Sequence, residues 1–405
     1  MSELRAIGRL AFDELSAVPG GIWQMHRAVA ERAFRGVGVA SFPARLMHDT
    51  ISRAVYGALR ASTSALGLAA DTAMERRRLG EGVELSTSRR GSTVLAALNG
   101  LIGDQLERDG SELQQPAAVR VDGKPLPLDP ESLRGEFPDA TACPVVFLHG
   151  LMETEFSWRL GAGPAGDTYG TRLARDLGCT PVYVRYNSGR HVSENGRSVA
   201  ELMERLVEAW PVEVERIALI GHSMGGLVAR SACHQGRGWT TKVSHVVSLG
   251  TPHMGAPLEQ AVHVTSAALS ALPETRPFAA FLRRRSAGIR DLRQGSLVDE
   301  DWRGLDPDAL RAAACREVPL LEGATHCFVA ATVTRSERHP VGRLIGDLLV
   351  LVPSASGRSR TRRIPFEAEY GAHVGAAHHF ALLNHPAVYE RLRHWLDAEA
   401  NALPS

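Results

Sequence analysis

Short apolar runs alternate with amphipathic stretches along the chain from about residue 118 onward. The runs are rich in β-branched residues and end at glycine, proline or asparagine, as is typical of buried strands. They predict strands at residues 144–149, 181–186, 214–220, 243–249 and 327–334. Because helical stretches separate successive strands, the pattern predicts a mostly parallel sheet with helices packed on it.

Residues 1–112 precede this alternation and are predicted to be helical. Their apolar positions recur at helical spacing, and Met47, Ile51 and Val55 share one face. One interpretation is a helical hairpin packed on the core. The other is an element that binds a membrane surface or a second copy of the chain.

The chain is therefore predicted to have two parts, an N-terminal helical extension of residues 1–112 and a domain of residues 113–405. A β-hairpin around Asp122 and Gly123 opens the second part. Residues 256–321 interrupt its strand pattern with a long helix-rich segment. This insertion is either a mobile lid or a static cap on the sheet.

One predicted strand runs directly into a serine that stands between glycines. Gly221, Ser223 and Gly225 follow the apolar run 217–220, and a helical stretch begins at once after them. Such a turn is a nucleophile elbow, in which the strained backbone exposes the hydroxyl at a helix N-terminus. A Cβ at either glycine would clash where strand and helix cross. Ser223 is therefore predicted to be a nucleophile, and the alternative is a glycine-rich turn with an idle serine.

A serine nucleophile requires backbone donors for the negative charge of the tetrahedral intermediate. An upstream apolar strand ends at Gly150, where the chain can bend back towards the elbow. The backbone N–H groups of Leu151 and Met224 are predicted to form this oxyanion hole. His149 is predicted to hydrogen-bond the loop rather than to react.

With these motifs in this order, the sequence resembles the α/β-hydrolase superfamily, and within it the bacterial lipases and esterases related to PGAP1-like (GPI inositol-deacylase-like) proteins. The likeness covers about the last two thirds of the chain. It rests on two C-terminal segments and on His149–Leu151, Tyr186–Arg190, Gly221–Gly226 and Gly250–Gly255. It implies an α/β-hydrolase fold, with a mostly parallel central sheet, helices on both faces, a helical lid and the helical N-terminal extension.

The resemblance also implies the chain order serine, aspartate, histidine for the catalytic residues. Asp347 matches the acid motif of lipases, with Leu348 at the position where the family often has glycine. The competing acids precede the strand at 327–334 and are predicted to be solvated. They are Asp291, Asp299, Asp301, Asp306 and Asp308.

His379 matches the base motif, a histidine followed by two leucines and a final helix predicted at 386–400. The adjacent His378 is the alternative, because only one of two neighbouring loop residues can reach Ser223. Asn384 is predicted to cap the final helix, and His385 to be a surface residue.

The composition agrees with a globular enzyme and narrows its partners. The chain of 405 residues is 44% hydrophobic and 22% charged, with a formal net charge of +1. It has no basic face that would indicate nucleic acid. Its histidines and five cysteines lack metal-ligand spacing, so neither a metal nor a cofactor is predicted. The odd cysteine number indicates a reducing compartment, and a local disulfide between Cys315 and Cys327 is left open.

Neither a secretory signal nor a membrane span is predicted, so the expected location is cytoplasmic, with peripheral membrane contact through the N-terminal helices left open. The resemblance implies a serine hydrolase of carboxylic esters, of lipid or acyl type, that uses Ser223, Asp347 and His379. A thioesterase or an acyltransferase with the same residues is an alternative. A membrane-associated binding protein with an idle hydrolase fold is another. The sequence does not decide the oligomeric state.

Overall fold

A computed structural model of the protein describes Glu3 and residues 85–163, 166–256, 285–306 and 315–397. The predicted amphipathic face at Met47, Ile51 and Val55, Asp308 and most of the 256–321 insertion lie outside the described residues. The chain divides into two compact units. The unit that carries the sheet comprises Ser86–Arg108, Gln114–Gln260 and Ser286–Ser405.

The sheet has eight strands in the order β2-β1-β4-β3-β5-β6-β7-β8. The strands are β1 (Ala118–Val121), β2 (Lys124–Pro125), β3 (Pro144–Leu148), β4 (Thr180–Arg185), β5 (Ile217–His222), β6 (Val243–Leu249), β7 (Thr325–Thr332) and β8 (Gly371–Gly375). The first two form the predicted antiparallel hairpin, and β1 also pairs antiparallel with β4. All pairs from β4 to β8 are parallel.

Helices cover both faces of the sheet. Within the described residues the α-helices are Arg89–Arg108, Pro130–Glu136, Tyr169–Leu177, Val192–Ala209, Met224–Gln235, Ala287–Asp291, Pro340–Ile345, Val352–Ala355 and Pro386–Leu396. Short 3₁₀ turns lie at Leu85–Thr87, Glu155–Arg159, Gly238–Lys242, Asp299–Asp301, Ala368–Tyr370 and His379–Leu382. No helix in the described part of the chain has the length and hydropathy of a membrane span.

The core consists of two apolar layers, one on each side of the sheet. Along β3, Val146 and Leu148 join the layer that contains the helices Val192–Ala209 and Met224–Gln235. Val145 and Phe147 point the other way, into the layer of Tyr169–Leu177 and Pro386–Leu396. Successive side chains alternate between faces, and both faces are buried, which explains the continuous apolar runs. An antiparallel strand pair ahead of parallel strands, with a serine elbow after β5, defines the α/β-hydrolase fold and confirms the predicted sheet with helices on both faces.

Strand β8 was not predicted from the sequence. Its residues, Gly371–Gly375, include two glycines and lack an apolar run, yet they pair with β7 over the whole strand. A Cβ at Gly371 would lie 2.4 Å from the ring of Phe328 on β7, so glycine leaves room for that ring. The strand is therefore specified by its partner rather than by its own composition.

The last helix begins one residue later than expected from the predicted cap. Its N-cap is His385, whose Nδ1 accepts a hydrogen bond from Ala387 N at 3.2 Å, so the predicted cap at Asn384 is wrong. The Asn384 side chain instead accepts from Tyr169 N at 2.6 Å and donates to Trp158 O at 2.7 Å. It joins two distant loops, a role that only the tertiary structure creates.

Candidate active site

Ser223 occupies a strained turn between β5 and the helix Met224–Gln235. Its backbone has φ 52° and ψ −123°, a conformation that costs a non-glycine residue about 1–3 kcal/mol. The turn is held from both sides, because Ser223 N donates to Leu249 O at 2.8 Å and Gly226 N donates to Ser223 O at 3.2 Å. The residue is half-buried, unlike the residues on either side of it, which are buried. This is the geometry of a nucleophile elbow.

The glycines around Ser223 allow strand and helix to cross closely. A Cβ at Gly221 would lie 2.4 Å from the backbone of Gly225, and one at Gly225 would lie 2.2 Å from Leu148 O. At Gly226 it would lie 2.1 Å from the hydroxyl of Thr251. The contacts at Gly221 and Gly225 are with backbone atoms and cannot be relieved by a rotamer change, so these two positions require glycine.

Asp347 and His379 meet although 32 residues separate them. His379 Nδ1 donates to Asp347 Oδ2 at 2.7 Å, and His379 N donates to Asp347 O at 2.9 Å. The other carboxylate oxygen accepts from Leu349 N at 3.0 Å and Val350 N at 2.7 Å. Both side chains are buried. The acid is thus fixed by its own loop and can hold the imidazole in one orientation.

The opposite ring nitrogen, His379 Nε2, is buried and has no hydrogen-bond partner among the described residues. Because Nδ1 donates to the carboxylate, Nε2 of the neutral ring carries a lone pair that can accept a proton. The His379 ring lies 4.8 Å, centroid to centroid, from the ring of His222, the residue before Ser223. The His379 ring is therefore a direct neighbour of the residue that precedes Ser223.

The alternative residues do not share this arrangement. His378 is exposed, whereas His379 is buried against Asp347. Asp291 was predicted to be solvated, and this is wrong: it is 3% exposed and accepts from His191 Nδ1 at 3.0 Å and Val192 N at 2.7 Å. Burial raises its pKa against these hydrogen bonds. Asp291 thus joins the insertion to the helix Val192–Ala209, and neither of these hydrogen bonds involves His379.

The two predicted oxyanion donors lie at the edge of the sheet where Ser223 stands. A Cβ at Gly150 would lie 3.0 Å from the Ser223 Cβ, so the loop after β3 runs directly against the nucleophile. Leu151 follows this glycine, and Met224 is the first residue of its helix. The first N–H groups of a helix have no intrahelical acceptor. Met224 N–H is therefore suited to a negative oxygen.

His149 holds the loop after β3 through backbone hydrogen bonds. Its Nδ1 donates to Gly150 O at 2.8 Å, and its Nε2 accepts from Tyr186 N at 3.2 Å. The Tyr186 ring stacks on it at 4.2 Å, and the Tyr186 hydroxyl donates to His149 O. Burial lowers the pKa of His149. Both ring nitrogens are occupied, so this neutral histidine shapes the loop.

A buried ion pair under the elbow was missed by the sequence reasoning. His222 Nδ1 lies 2.9 Å from Glu153 Oε1, and Gly150 N donates to Glu153 Oε2 at 3.0 Å. His222 Nε2 donates to His379 O at 3.3 Å. Through His222, the Glu153 carboxylate thus connects the loop after β3, the residue before Ser223 and His379. The only sequence signal was that His222 adjoins Ser223 and Glu153 follows the His149–Leu151 motif.

Glu153 and His222 each favour the charged form of the other. Burial acts to raise the pKa of Glu153, but the charge and hydrogen bond of His222 outweigh burial and hold it at about 2. Burial acts to lower the pKa of His222, and Glu153 overcomes this and raises it. Both side chains are therefore charged at pH values between the lowered pKa of Glu153 and the raised pKa of His222.

Glu153→Gln is expected to reduce turnover without removing a reacting group, because it loosens the loop that carries Leu151. Misplacement by about 1 Å can cost about 10²-fold in rate. Loss of one partner of a buried pair also costs about 3–5 kcal/mol of stability. Turnover of a soluble ester and urea unfolding across pH measure the two effects.

The stability that the Glu153–His222 pair contributes depends on pH. The lowered pKa of Glu153 stabilises the fold above its ordinary value of 4.5, and the raised pKa of His222 does so below its ordinary value of 6.5. The stability difference between wild type and Glu153→Gln should thus be largest between these values and narrow as His222 deprotonates at higher pH. The exposed Glu136→Gln is the control. A flat difference across pH would refute the ion pair.

Within the described residues no group of three or more histidine, cysteine, aspartate or glutamate side chains is arranged to hold a metal ion. His373, which the sequence placed near the base, instead pairs its Nε2 with the hydroxyl of Thr332 at 2.9 Å. In this site the polar atoms that converge on the elbow are the Asp347–His379 pair, the Glu153–His222 pair and backbone N–H groups. The fold is that of an α/β hydrolase, and in it Ser223, Asp347 and His379 lie in the segments that follow β5, β7 and β8.

The family model of the PGAP1-like alpha/beta domain matches residues 139–303, which confirms the resemblance predicted from the sequence motifs. This range contains Ser223 and the loop after β3 and ends before Asp347 and His379. A comparison with curated proteins gave no match.

Two solved structures illustrate the likeness in fold. Lipase BlEst2 of Bacillus licheniformis in its propeptide form is 17% identical with a TM-score of 0.45, and the match covers 72% of this chain and 56% of that chain. A lipase-esterase related protein from Clostridium acetobutylicum is 14% identical with a TM-score of 0.35, over 64% of this chain and 96% of that chain. The chain thus spans little more than half the length of the Bacillus protein.

Proposed function

We propose that the protein is a serine hydrolase that cleaves carboxylic esters through an acyl-enzyme. The single observation that carries this proposal is the buried Asp347–His379 pair, whose Nε2 has no hydrogen-bond partner among the described residues and whose ring lies against that of His222, the residue before Ser223. An idle serine in a glycine-rich turn would need neither a buried acid nor a histidine with one free nitrogen. Burying such groups without a use costs stability.

In the proposed reaction, His379 Nε2 takes the proton of Ser223 as the hydroxyl attacks the ester carbonyl. Asp347 keeps the imidazole in the productive tautomer and stabilises the imidazolium. The N–H groups of Leu151 and Met224 stabilise the oxyanion. His379 then protonates the leaving alcohol, and water, activated by the same histidine, releases the acid.

Exposed apolar side chains near the proposed acid and base support a lipid or acyl ester as substrate. Leu344 is 76% exposed, Leu348, next to Asp347, is 59% exposed, and Phe380, next to His379, is 44% exposed. Val341 and Ile345 add to this set on the helix Pro340–Ile345. We call these five residues the apolar rim. Apolar surface beside a reacting centre favours ligands with long hydrocarbon parts.

The test is a hydrolysis profile over p-nitrophenyl esters of graded chain length, supplied below and above their aggregation limit, together with a triglyceride emulsion. The proposal expects turnover that increases with acyl length and with aggregation. The complete absence of turnover on all of these esters, with turnover of acyl thioesters instead, would favour the thioesterase alternative.

Leu344→Glu is expected to lower turnover of the emulsion while turnover of a short soluble ester stays unchanged. Burial of one leucine side chain contributes about 1.5–3 kcal/mol, so losing it should weaken interfacial activity about 10-fold or more. Val212→Glu is the matched control, because Val212 is 42% exposed and lies ahead of β5, at the edge opposite Ser223. Equal losses in both variants would show that charge alone, rather than the apolar rim, affects emulsions.

A further inference from the structure

Two cysteines lie close together at the N-terminal ends of the parallel strands, opposite the C-terminal ends where the elbow lies. Cys143 directly precedes β3, and Cys179 directly precedes β4. The strands are parallel with Pro144 opposite Thr180, which makes the cysteines neighbours in register. Their Sγ atoms are 3.1 Å apart. Adjacent strands lie about 4.8 Å apart, which is within the Cα separation of roughly 4.4–6.8 Å that a disulfide requires.

A cation stands beside one of the two sulfurs. Arg216 Nε donates to Cys143 Sγ at 3.2 Å, from the residue just before β5. Cys143 is half-buried and Cys179 is buried. Cys179 belongs to the apolar core, and Cys143 packs against that core from a partly exposed position. A reactive cysteine is found in such a partly exposed, electropositive setting.

The two thiols differ in their readiness to ionise. The hydrogen bond from Cys179 and then Arg216 lower the pKa of Cys143 to about 6, against burial and the nearby charge of Glu215. The contact with Cys143 and burial raise the pKa of Cys179. Cys143 is therefore the thiol of the pair that ionises more readily, and Cys179 is the neighbour that donates a hydrogen bond to its sulfur.

None of the other three cysteines, all of them among the described residues, has a hydrogen bond to a second thiol. All five cysteines of the chain are free, including Cys315 and Cys327, between which a disulfide was left open. Burial raises the pKa of Cys233 to about 12 and raises those of Cys315 and Cys327. Oxidation should therefore be selective for one pair.

We propose that Cys143 and Cys179 form a redox-active dithiol that reacts with low-molecular-weight disulfides. The Cys143 thiolate attacks one sulfur of glutathione disulfide, which forms a mixed disulfide and expels one glutathione thiolate. Cys179 then loses its proton to solvent, and its sulfur attacks Cys143 Sγ and expels the second glutathione. The protein loses two hydrogens, and one glutathione disulfide becomes two glutathione molecules.

This site is separate from the ester chemistry. In the parallel register Val145 of β3 lies opposite Ala218 of β5, so Cys143 and Arg216 stand at the start of the strands. Ser223 stands at their end. The resulting Cys143–Cys179 disulfide would join the N-terminal ends of β3 and β4, and its formation does not require Ser223.

The experiment uses the full-length protein, reduced, desalted and incubated at neutral pH with glutathione disulfide. The expected result is loss of two of the five thiols, a Cys143–Cys179 peptide in the digest, and full reversal by dithiothreitol. Cys179→Ser should stop at the mixed disulfide and carry one glutathione on Cys143. Cys143→Ser should lose no thiols, and Cys327→Ser should behave as wild type.

Arg216→Gln supplies a second readout that does not depend on disulfide closure. The rate at which iodoacetamide alkylates Cys143, followed against pH by peptide mass, should have its inflection near pH 6 in wild type and at higher pH in the variant. Thiol loss spread over several cysteines, or thiol loss that persists in Cys143→Ser, would overturn the proposal. So would an alkylation profile that Arg216→Gln leaves unchanged.

Discussion

Ser223→Ala is expected to lower kcat/KM for a soluble ester by about 10³-fold or more and to abolish labelling by a fluorophosphonate. The reason is that acyl transfer needs the hydroxyl oxygen as the attacking atom, and an alanine offers none. The backbone of the turn should persist, because its hydrogen bonds to Leu249 O and Gly226 N involve only main-chain atoms. Turnover and gel-based labelling measure the two losses, and thermal unfolding checks the fold.

The matched control is Ser244→Ala, whose hydroxyl bonds Ile217 O at the start of the strands. It should keep both turnover and labelling. If Ser223→Ala retained near-normal turnover while staying folded, the elbow would not supply the nucleophile and the proposed function would fail.

Asp347→Asn is expected to lower kcat by about 10⁴-fold, because an amide can hold the wrong tautomer of His379 and cannot stabilise its cation. His379→Ala should abolish turnover. Each has a close control: Asp301→Asn, whose carboxylate accepts from Leu297 N and Arg316 N, and the exposed His378→Ala. Both controls should be mild. Steady-state kinetics on one soluble ester gives all four values.

Equal losses at positions 378 and 379 would show that the loop presents another histidine when substrate binds. An active Asp347→Asn variant would indicate that the base is oriented by a different group. Either result would contradict the assignment of Asp347 and His379 and leave Ser223 to be judged by its own variant.

Sequence reasoning predicted well where a backbone conformation depends on neighbours in the chain. The elbow is local: Gly221, Ser223 and Gly225 lie within five positions, and each glycine is required by a contact that the crossing itself creates. The hairpin at Asp122 and Gly123 is equally local, with φ values of 43° and 86°. The residue type at such positions predicts the turn, because few residue types tolerate the backbone conformation that the turn requires.

Leu348 shows where a family pattern and a fold disagree without breaking the fold. The sequence has leucine where related lipases often have glycine, and the structure gives this leucine φ 87°. Hydrogen bonds hold this backbone conformation, because the Asp347 carboxylate accepts from Leu349 N and Val350 N on the far side of the turn. The loop geometry is thus set by its hydrogen bonds as well as by its residue types.

The sequence by itself determined the strands up to β7, the elbow and the segments in which an acid and a base should be sought, because periodicity and turn chemistry are encoded within a few residues of each other. Only the tertiary structure decided which residues meet. It buried His379 against Asp347 while exposing His378, and it joined Glu153 to His222 and Cys143 to Cys179. These contacts depend on sheet register and on the crossing of distant loops, and no local pattern specifies either.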